Sequence, residues 1–128
     1  MKKIIKTENA PQAIGPYSQA VQISNNNLLF LSGQIPLDPK TMEIVGNTAS
    51  EQCKQVMDNI TAVVGAAGSD MSDIVKTTIY LCNMNDFASV NEMYATYFDS
   101  NPPARATVEV SRLPKDVKVE IEAIVIVR

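Results

Sequence analysis

Arg105, Thr107 and Glu109 stand at every second residue, and so do Lys118, Glu120 and Glu122. Both runs alternate with apolar residues, Ala106, Val108 and Val110 in the first and Val117, Val119 and Ile121 in the second, so each reads as one face of a strand. A guanidinium projecting from such a face can grip a carboxylate or phosphate through two parallel hydrogen bonds, a geometry that lysine lacks. A glutamate can accept a proton from water. The same alternation also describes the solvated side of an ordinary strand, and only a covered face would give these charges chemical work.

The 128 residues include no histidine, which excludes a Ser-His-Asp triad, a Cys-His dyad and a His-bearing zinc site. Acid-base work falls to Glu, Asp, Lys, Tyr or water. Cys53 lies on an apolar helical stripe and reads as core, as do Met57 and Met93. Cys82 closes a strand with no histidine to activate it. The two cysteines lie far apart, which fits free thiols in a reducing cytoplasm. Ala13 to Tyr17 lacks the spacing of a phosphate loop. Ser32-Gly33-Gln34, at a strand end, either presents a hydroxyl and an approachable backbone or is only a turn.

The net charge of −3 argues against nucleic acid as the main partner. The longest apolar run, Ala123 to Val127, is too short to cross a bilayer, and Lys6 and Glu8 interrupt the opening segment, so neither a membrane nor export is indicated. With 45% apolar and 20% charged residues, 1–128 is expected to be one domain with a sizeable core.

The elements that must hold these side chains follow from punctuation and period. Lys3 to Lys6 is an opening strand candidate, followed by a stretch from Asn9 to Tyr17 that Pro11, Gly15 and Pro16 keep irregular. Ser18 to Ser24 and Leu28 to Ser32 read as a hairpin around Asn25-Asn26-Asn27. Thr48-Ala-Ser-Glu51 fits a capping box, and Cys53, Val56, Met57, Ile60, Val63, Val64 and Ala67 form a helical stripe ending at Gly68. A strand is expected over Ile74 to Leu81. A second helix is expected from Asp86 to Phe98, with Phe87, Val90, Tyr94, Tyr97 and Phe98 on its buried side. Strands over Ala104 to Ser111 and Val117 to Val127 complete the order ββαβαββ.

That order implies an α+β fold: a two-layer sandwich with both helices on one face of a mixed β-sheet. Leu28 to Leu31 and Ala123 to Val127 are apolar on both parities, so part of the helix-free face needs cover from outside the chain. A partner subunit is the simplest candidate.

The segment Pro103-Ala-Arg-Ala-Thr-Val-Glu-Val-Ser-Arg-Leu-Pro-Lys-Asp-Val-Lys-Val-Glu-Ile-Glu-Ala123 closely resembles the signature of the RidA (YjgF) family of enamine/imine deaminases. Asn9-Ala-Pro, Ile14-Gly-Pro-Tyr17, Ser32-Gly-Gln-Ile-Pro36, Ile74-Val-Lys-Thr-Thr78 and Asn85-Asp-Phe-Ala88 through Asn91 extend the likeness along nearly the whole chain. The resemblance implies a chorismate-mutase-like fold, a homotrimer whose sheets form a central barrel, and ligand clefts between subunits. It also implies cofactor-free hydrolysis of 2-iminobutanoate and 2-iminopropanoate to 2-oxo acids and ammonia.

Carried over residue by residue, the resemblance assigns Arg105 to the substrate carboxylate and Glu120 to the attacking water. It places Tyr17, Ser32, Gly33 and Asn91 along the cleft. Many relatives have Cys where this chain has Thr107. Imine hydrolysis needs no covalent intermediate, so position 107 is expected to contribute a main-chain contact. Two other functions share this scaffold: a non-catalytic small-molecule-binding regulator, and a chaperone-like or translation-inhibiting protein. Ammonia release separates the first from the enzyme, and dependence on Arg105 separates the second. RNA cleavage, also ascribed to the family, suits the acidic chain least.

Overall fold

The structure, a computed structural model, describes residues 2–23 and 27–127. The observed order is βββαβαββ: β1 (Lys2–Ile5), β2 (Ala20–Ile23), β3 (Leu28–Gln34), α1 (Ala49–Ala66), β4 (Ile74–Leu81), α2 (Phe87–Ala95), β5 (Ala104–Glu109) and β6 (Val119–Ile126). The expected α+β class holds, and β1 joins the sheet as a full member that the shorter order leaves out. Residues 24–26 of the expected hairpin turn lie outside the described residues; its strands pair in register from Ile23 opposite Leu28.

The six strands lie in the order β1-β2-β3-β6-β4-β5. All neighbours are antiparallel except β4 and β5. A parallel pair needs a crossover, and α2 supplies it. β3 and β4 both run antiparallel to the β6 between them, and α1 makes that longer return.

Thr48 caps α1, its hydroxyl accepting from the Glu51 N–H at 3.2 Å, a contact worth about 1 kcal/mol. The Glu51 carboxylate accepts from the Asn47 N–H rather than from Thr48, one residue earlier than a capping box requires. The α1 stripe buries Cys53, Val56, Met57, Ile60, Val63 and Val64 in one core with Leu29, Leu31, Ile79, Leu81, Val119, Ile121, Ala123 and Val125 of the sheet. Each large aliphatic side chain there contributes roughly 1.5–3 kcal/mol relative to exposure. Burial pushes the Cys53 thiol up to about 12, which fits its reading as core.

Polar residues on the same stripe tie the loops down. Buried Gln52 donates to the Gly46 carbonyl and accepts from the Lys118 N–H, and buried Asn59 donates to the carbonyls of Ile35 and Leu37. Because the Lys118 N–H is taken by Gln52, β6 starts at Val119, two residues later than expected.

The second helix is shorter than Asp86 to Phe98. After Ala95 the chain tightens into i to i−3 hydrogen bonds, Tyr97 N to Tyr94 O and Phe98 N to Ala95 O, while the Thr96 hydroxyl takes the Met93 carbonyl. Phe87 is also not buried: it is 38% exposed and packs beside Arg105.

Across the helix-free face, register aligns Ile4, Val21, Phe30 and Ile124 in one apolar row. Ile4 is 50%, Phe30 40% and the nearby Ile126 45% exposed, so among the described residues neither helix covers this row. No helix among the described residues is long and apolar enough to cross a membrane.

Candidate active site

The register between β3 and β6 slips by one residue: Leu31 faces Ala123, but Gln34 faces Ile121. Ser32 and Gly33 therefore form a bulge, and the expected turn is an irregularity inside a strand. The bulge serves Glu120. A Cβ built on Gly33 would stand 2.2 Å from Glu120 Oε2 and 2.9 Å from its Cδ, so only glycine leaves room for the carboxylate. The Ser32 hydroxyl does not point freely into the cleft, since it donates to the Ser18 carbonyl at 2.5 Å.

Glu120 and Tyr17 line one cleft of about 420 Å³ with Ser32, Gly33, Gln34, Pro11, Gln12, Ile14, Ile35, Leu37, Pro114 and Lys115. Its wall is the loop over residues 9–17, which buried Gln19 anchors. That side chain donates to the carbonyls of Thr7, Ala10 and Pro11 and accepts from the Thr7 N–H. Tyr17 is half exposed, and its hydroxyl accepts from the Ile14 N–H at 3.3 Å. On the far side, Lys115 and Asp116 sit at φ of 55° and 56°, a left-handed turn braced by the two hydrogen bonds from Arg112 to Asp116.

Among the described residues the Glu120 carboxylate has no hydrogen-bond partner. Burial, with the charge of Glu122 as a smaller second cause, holds it above the usual carboxylate range. Glu122 is different: its Oε1 accepts from the Tyr80 hydroxyl at 2.8 Å.

Arg105 belongs to a second cleft, of about 450 Å³, with Asn91, Tyr94, Ala95, Phe98, Asp99, Pro102 and Pro103. Its guanidinium donates to Asn91 Oδ1 at 2.5 Å and lies 5.1 Å from the Tyr94 ring centroid and 5.7 Å from that of Phe87. The two rings and the amide orient the fork, although Arg105 itself is exposed within one chain. Glu109, on the same strand face, accepts from the Met84 N–H and fixes the turn that leads into α2. Thr107 also shares this face; its Oγ1 is buried and has no partner among the described residues.

The structure thus brings Tyr17, Ser32, Gly33 and Glu120 together, and separately Arg105 and Asn91. It does not bring the two sets together within one chain. Tyr80 is in register with both Val108 and Glu120, so those two share a face of the sheet, while Arg105 shares the opposite face with Thr107. Gln19, the Phe87–Tyr94 pair and the Tyr80–Glu122 contact escaped the reading of the sequence. For Tyr80 a signal existed, because strand alternation places it beside Thr78 on the face of Glu120. Nothing in the pattern marks Gln19. Among the described residues no three His, Cys, Asp or Glu side chains are grouped so as to hold a metal ion.

The family model described as Endoribonuclease L-PSP matches residues 7–127. A RutC family protein of Pyrococcus horikoshii is 58% identical over 97% of each chain. The 2-iminobutanoate/2-iminopropanoate deaminase of Escherichia coli K12 is 52% identical over the full length of both. Among solved structures, the Rid family protein YyfA of Yersinia pestis is 51% identical and superposes with a TM-score of 0.95 over 99% of this chain and all of that one. Escherichia coli TdcF with bound serine is 46% identical, with a TM-score of 0.92 over 98% of this chain and 99% of that one. A family match over almost the entire length, together with relatives and structures alike from end to end, shows that the chain belongs to the RidA (YjgF) family.

Proposed function

We propose that the protein is a cofactor-independent hydrolase that deaminates reactive 2-imino acids, the tautomers of enamines, to 2-oxo acids and ammonia. One observation carries this reading: Glu120 is a half-buried carboxylate with raised proton affinity, unbonded among the described residues, in a cleft roomy enough for a small acid and a water molecule. The 52% identity to the deaminase of Escherichia coli supports it, and so does the amino acid bound in TdcF.

In this mechanism Arg105 takes the substrate carboxylate through two charge-assisted hydrogen bonds. The protonated imine carbon is already electrophilic, so a positioned water and a base suffice. Water attacks that carbon as Glu120 accepts its proton, giving a carbinolamine. Glu120 returns that proton to the nitrogen and then takes the hydroxyl proton as the C–N bond breaks, so that the 2-oxo acid forms, ammonia leaves, and the proton passes from Glu120 to ammonia or solvent. Because Arg105 and Glu120 lie on opposite sheet faces, the working site forms between copies of the chain, with Tyr17, Ser32, Gly33 and Glu120 on one side and Arg105, Asn91 and Thr107 on the other. The exposed patch of Ile4, Phe30 and Ile126 fits the interior of a homotrimer, where burial is worth roughly 25 cal/mol per Å² of apolar surface.

Two cysteines without a disulfide fit a cytoplasmic setting, and a charge of −3 makes RNA the substrate that suits the chain least. The decisive experiment has a threonine dehydratase generate 2-iminobutanoate in situ while 2-oxobutanoate and ammonia are followed. Acceleration by the protein is expected. Imine binding without acceleration would leave a non-catalytic regulator, and a protein indifferent to the loss of Arg105 would leave a chaperone-like role.

A further inference from the structure

Glu120 and Glu122 stand two residues apart on one face of β6, yet among the described residues only Glu122 has a hydrogen-bond partner. Tyr80 lies directly across from Glu120 in the β4–β6 register, but its hydroxyl reaches past to Glu122 Oε1 at 2.8 Å. We propose that Tyr80 and Glu122 form a positioning pair for Glu120: the tyrosine pins the neighbouring carboxylate in place, and that fixed negative charge makes Glu120 the stronger base. The inference rests on the deaminase reading for its purpose, though not for its geometry.

The surroundings of Glu120 give that charge its weight. On β3 it faces Ser32 and Gly33, which carry no charge, and on β4 it faces Tyr80. The loop brings Tyr17, and the turn before β6 brings Lys115. Asp116 is occupied with Arg112. Lys118 precedes Glu120 by two residues, just ahead of β6. Glu122 is the charged neighbour whose influence on Glu120 is resolved, and it acts in the same direction as burial, disfavouring the ionised form. The donated hydrogen bond is also felt at Tyr80, whose hydroxyl holds its proton more tightly, first because of Glu122. Glu122 is exposed, so what the Tyr80 hydrogen bond supplies is a fixed position for its charge beside Glu120 and not shelter from solvent.

The test follows the Glu120 side-chain carboxyl by carbon NMR across a pH titration of the full-length protein, with the resonance assigned by its loss in Glu120→Gln. The acid limb of kcat/KM for imine hydrolysis is measured alongside. Glu122→Gln is expected to lower the Glu120 midpoint and move the acid limb to lower pH. Tyr80→Phe should give a smaller displacement in the same direction. Glu122→Asp, which keeps the charge, should stay nearer to wild type than Glu122→Gln does. An unmoved midpoint in Glu122→Gln, or equal displacement by the Asp and Gln variants, overturns the proposal. A wild-type protein without imine hydrolysis overturns the deaminase reading instead, and the NMR comparison still decides the role of the pair.

Discussion

Arg105 and Glu120 project from opposite faces of the same sheet, each into its own cleft. A small imino acid held by both must therefore meet Arg105 from one chain and Glu120 from another. This predicts complementation. Arg105→Ala and Glu120→Gln homo-oligomers are each expected to be nearly inactive. Mixed, unfolded and refolded together, they should regain activity, with about a quarter of sites intact if subunits assort at random around a ring. Mixed assemblies as inactive as their parents would place both groups in one chain's site.

The second prediction concerns the clamp around Arg105. Asn91, Phe87 and Tyr94 hold the guanidinium in one orientation, so its loss removes a preformed fork. Arg105→Ala should lower kcat/KM by roughly a hundredfold or more, the scale of about 2–4 kcal/mol for charge-assisted hydrogen bonds in a shielded site. Arg105→Lys should recover little, because an ammonium cannot reproduce two parallel contacts. Steady-state kinetics on both variants, with circular dichroism to confirm the fold, decides the matter.

Gly33 supplies the third. A Cβ there meets the far end of a side chain, Glu120 Oε2 at 2.2 Å, so the backbone can stay while the carboxylate must turn away. Gly33→Ala is expected to keep the fold and lose turnover by a factor approaching that of Glu120→Gln. Unchanged kcat with a crystal structure showing Glu120 in place would assign the glycine to the bulge alone.

Much of the architecture was legible because period and punctuation report directly on it. The α1 stripe ends where Gly68 takes a φ of 80°, and the alternation in β5 and β6 separates Arg105 from Val108 and Glu120 from Val119, although only the strand register shows that Arg105 and Glu120 take opposite faces of the sheet. What escaped depends on register. The bulge at Ser32 and Gly33 is a one-residue slip between strands far apart in sequence, so no local pattern records it. Phe87 looks like a core residue at helical spacing, and only the parallel pairing of β4 with β5 shows that Arg105 lies against it. Gln19 carries no apolar period at all, although its amide holds the wall of the Glu120 cleft.

Thr107 gives the fourth prediction. Its Oγ1 is buried and unpaired among the described residues, a desolvation cost with no return. Thr107→Val, which keeps the shape, should leave stability unchanged or raise it by up to ~1 kcal/mol in urea unfolding. Thr107→Ala should retain most of the deaminase activity, since position 107 is assigned a main-chain contact and no covalent step. An inactive Thr107→Ala with an intact fold would show that the unpaired hydroxyl finds its partner in the substrate.

The last prediction sets Glu120 between catalysis and stability. Its carboxyl is held above the ordinary value of 4.5, first by burial and then by Glu122, so the folded chain favours the protonated form more than the unfolded chain does. For a group shifted in this direction, the stabilising contribution is fully present below the unfolded value and is lost as pH rises through the folded one. At neutral pH, wild type therefore keeps a charge where the fold prefers none. Glu120→Gln removes that charge while preserving shape. It should lower kcat by ~10²–10⁴, the range for loss of a general base. It should also melt above wild type at pH 7, with the difference shrinking as pH falls toward 4.5 and below. Scanning calorimetry of both proteins between pH 4 and pH 7 reads this directly; a gap that is constant across that range, or that grows in acid, would mean that Glu120 does not carry the unfavourable charge.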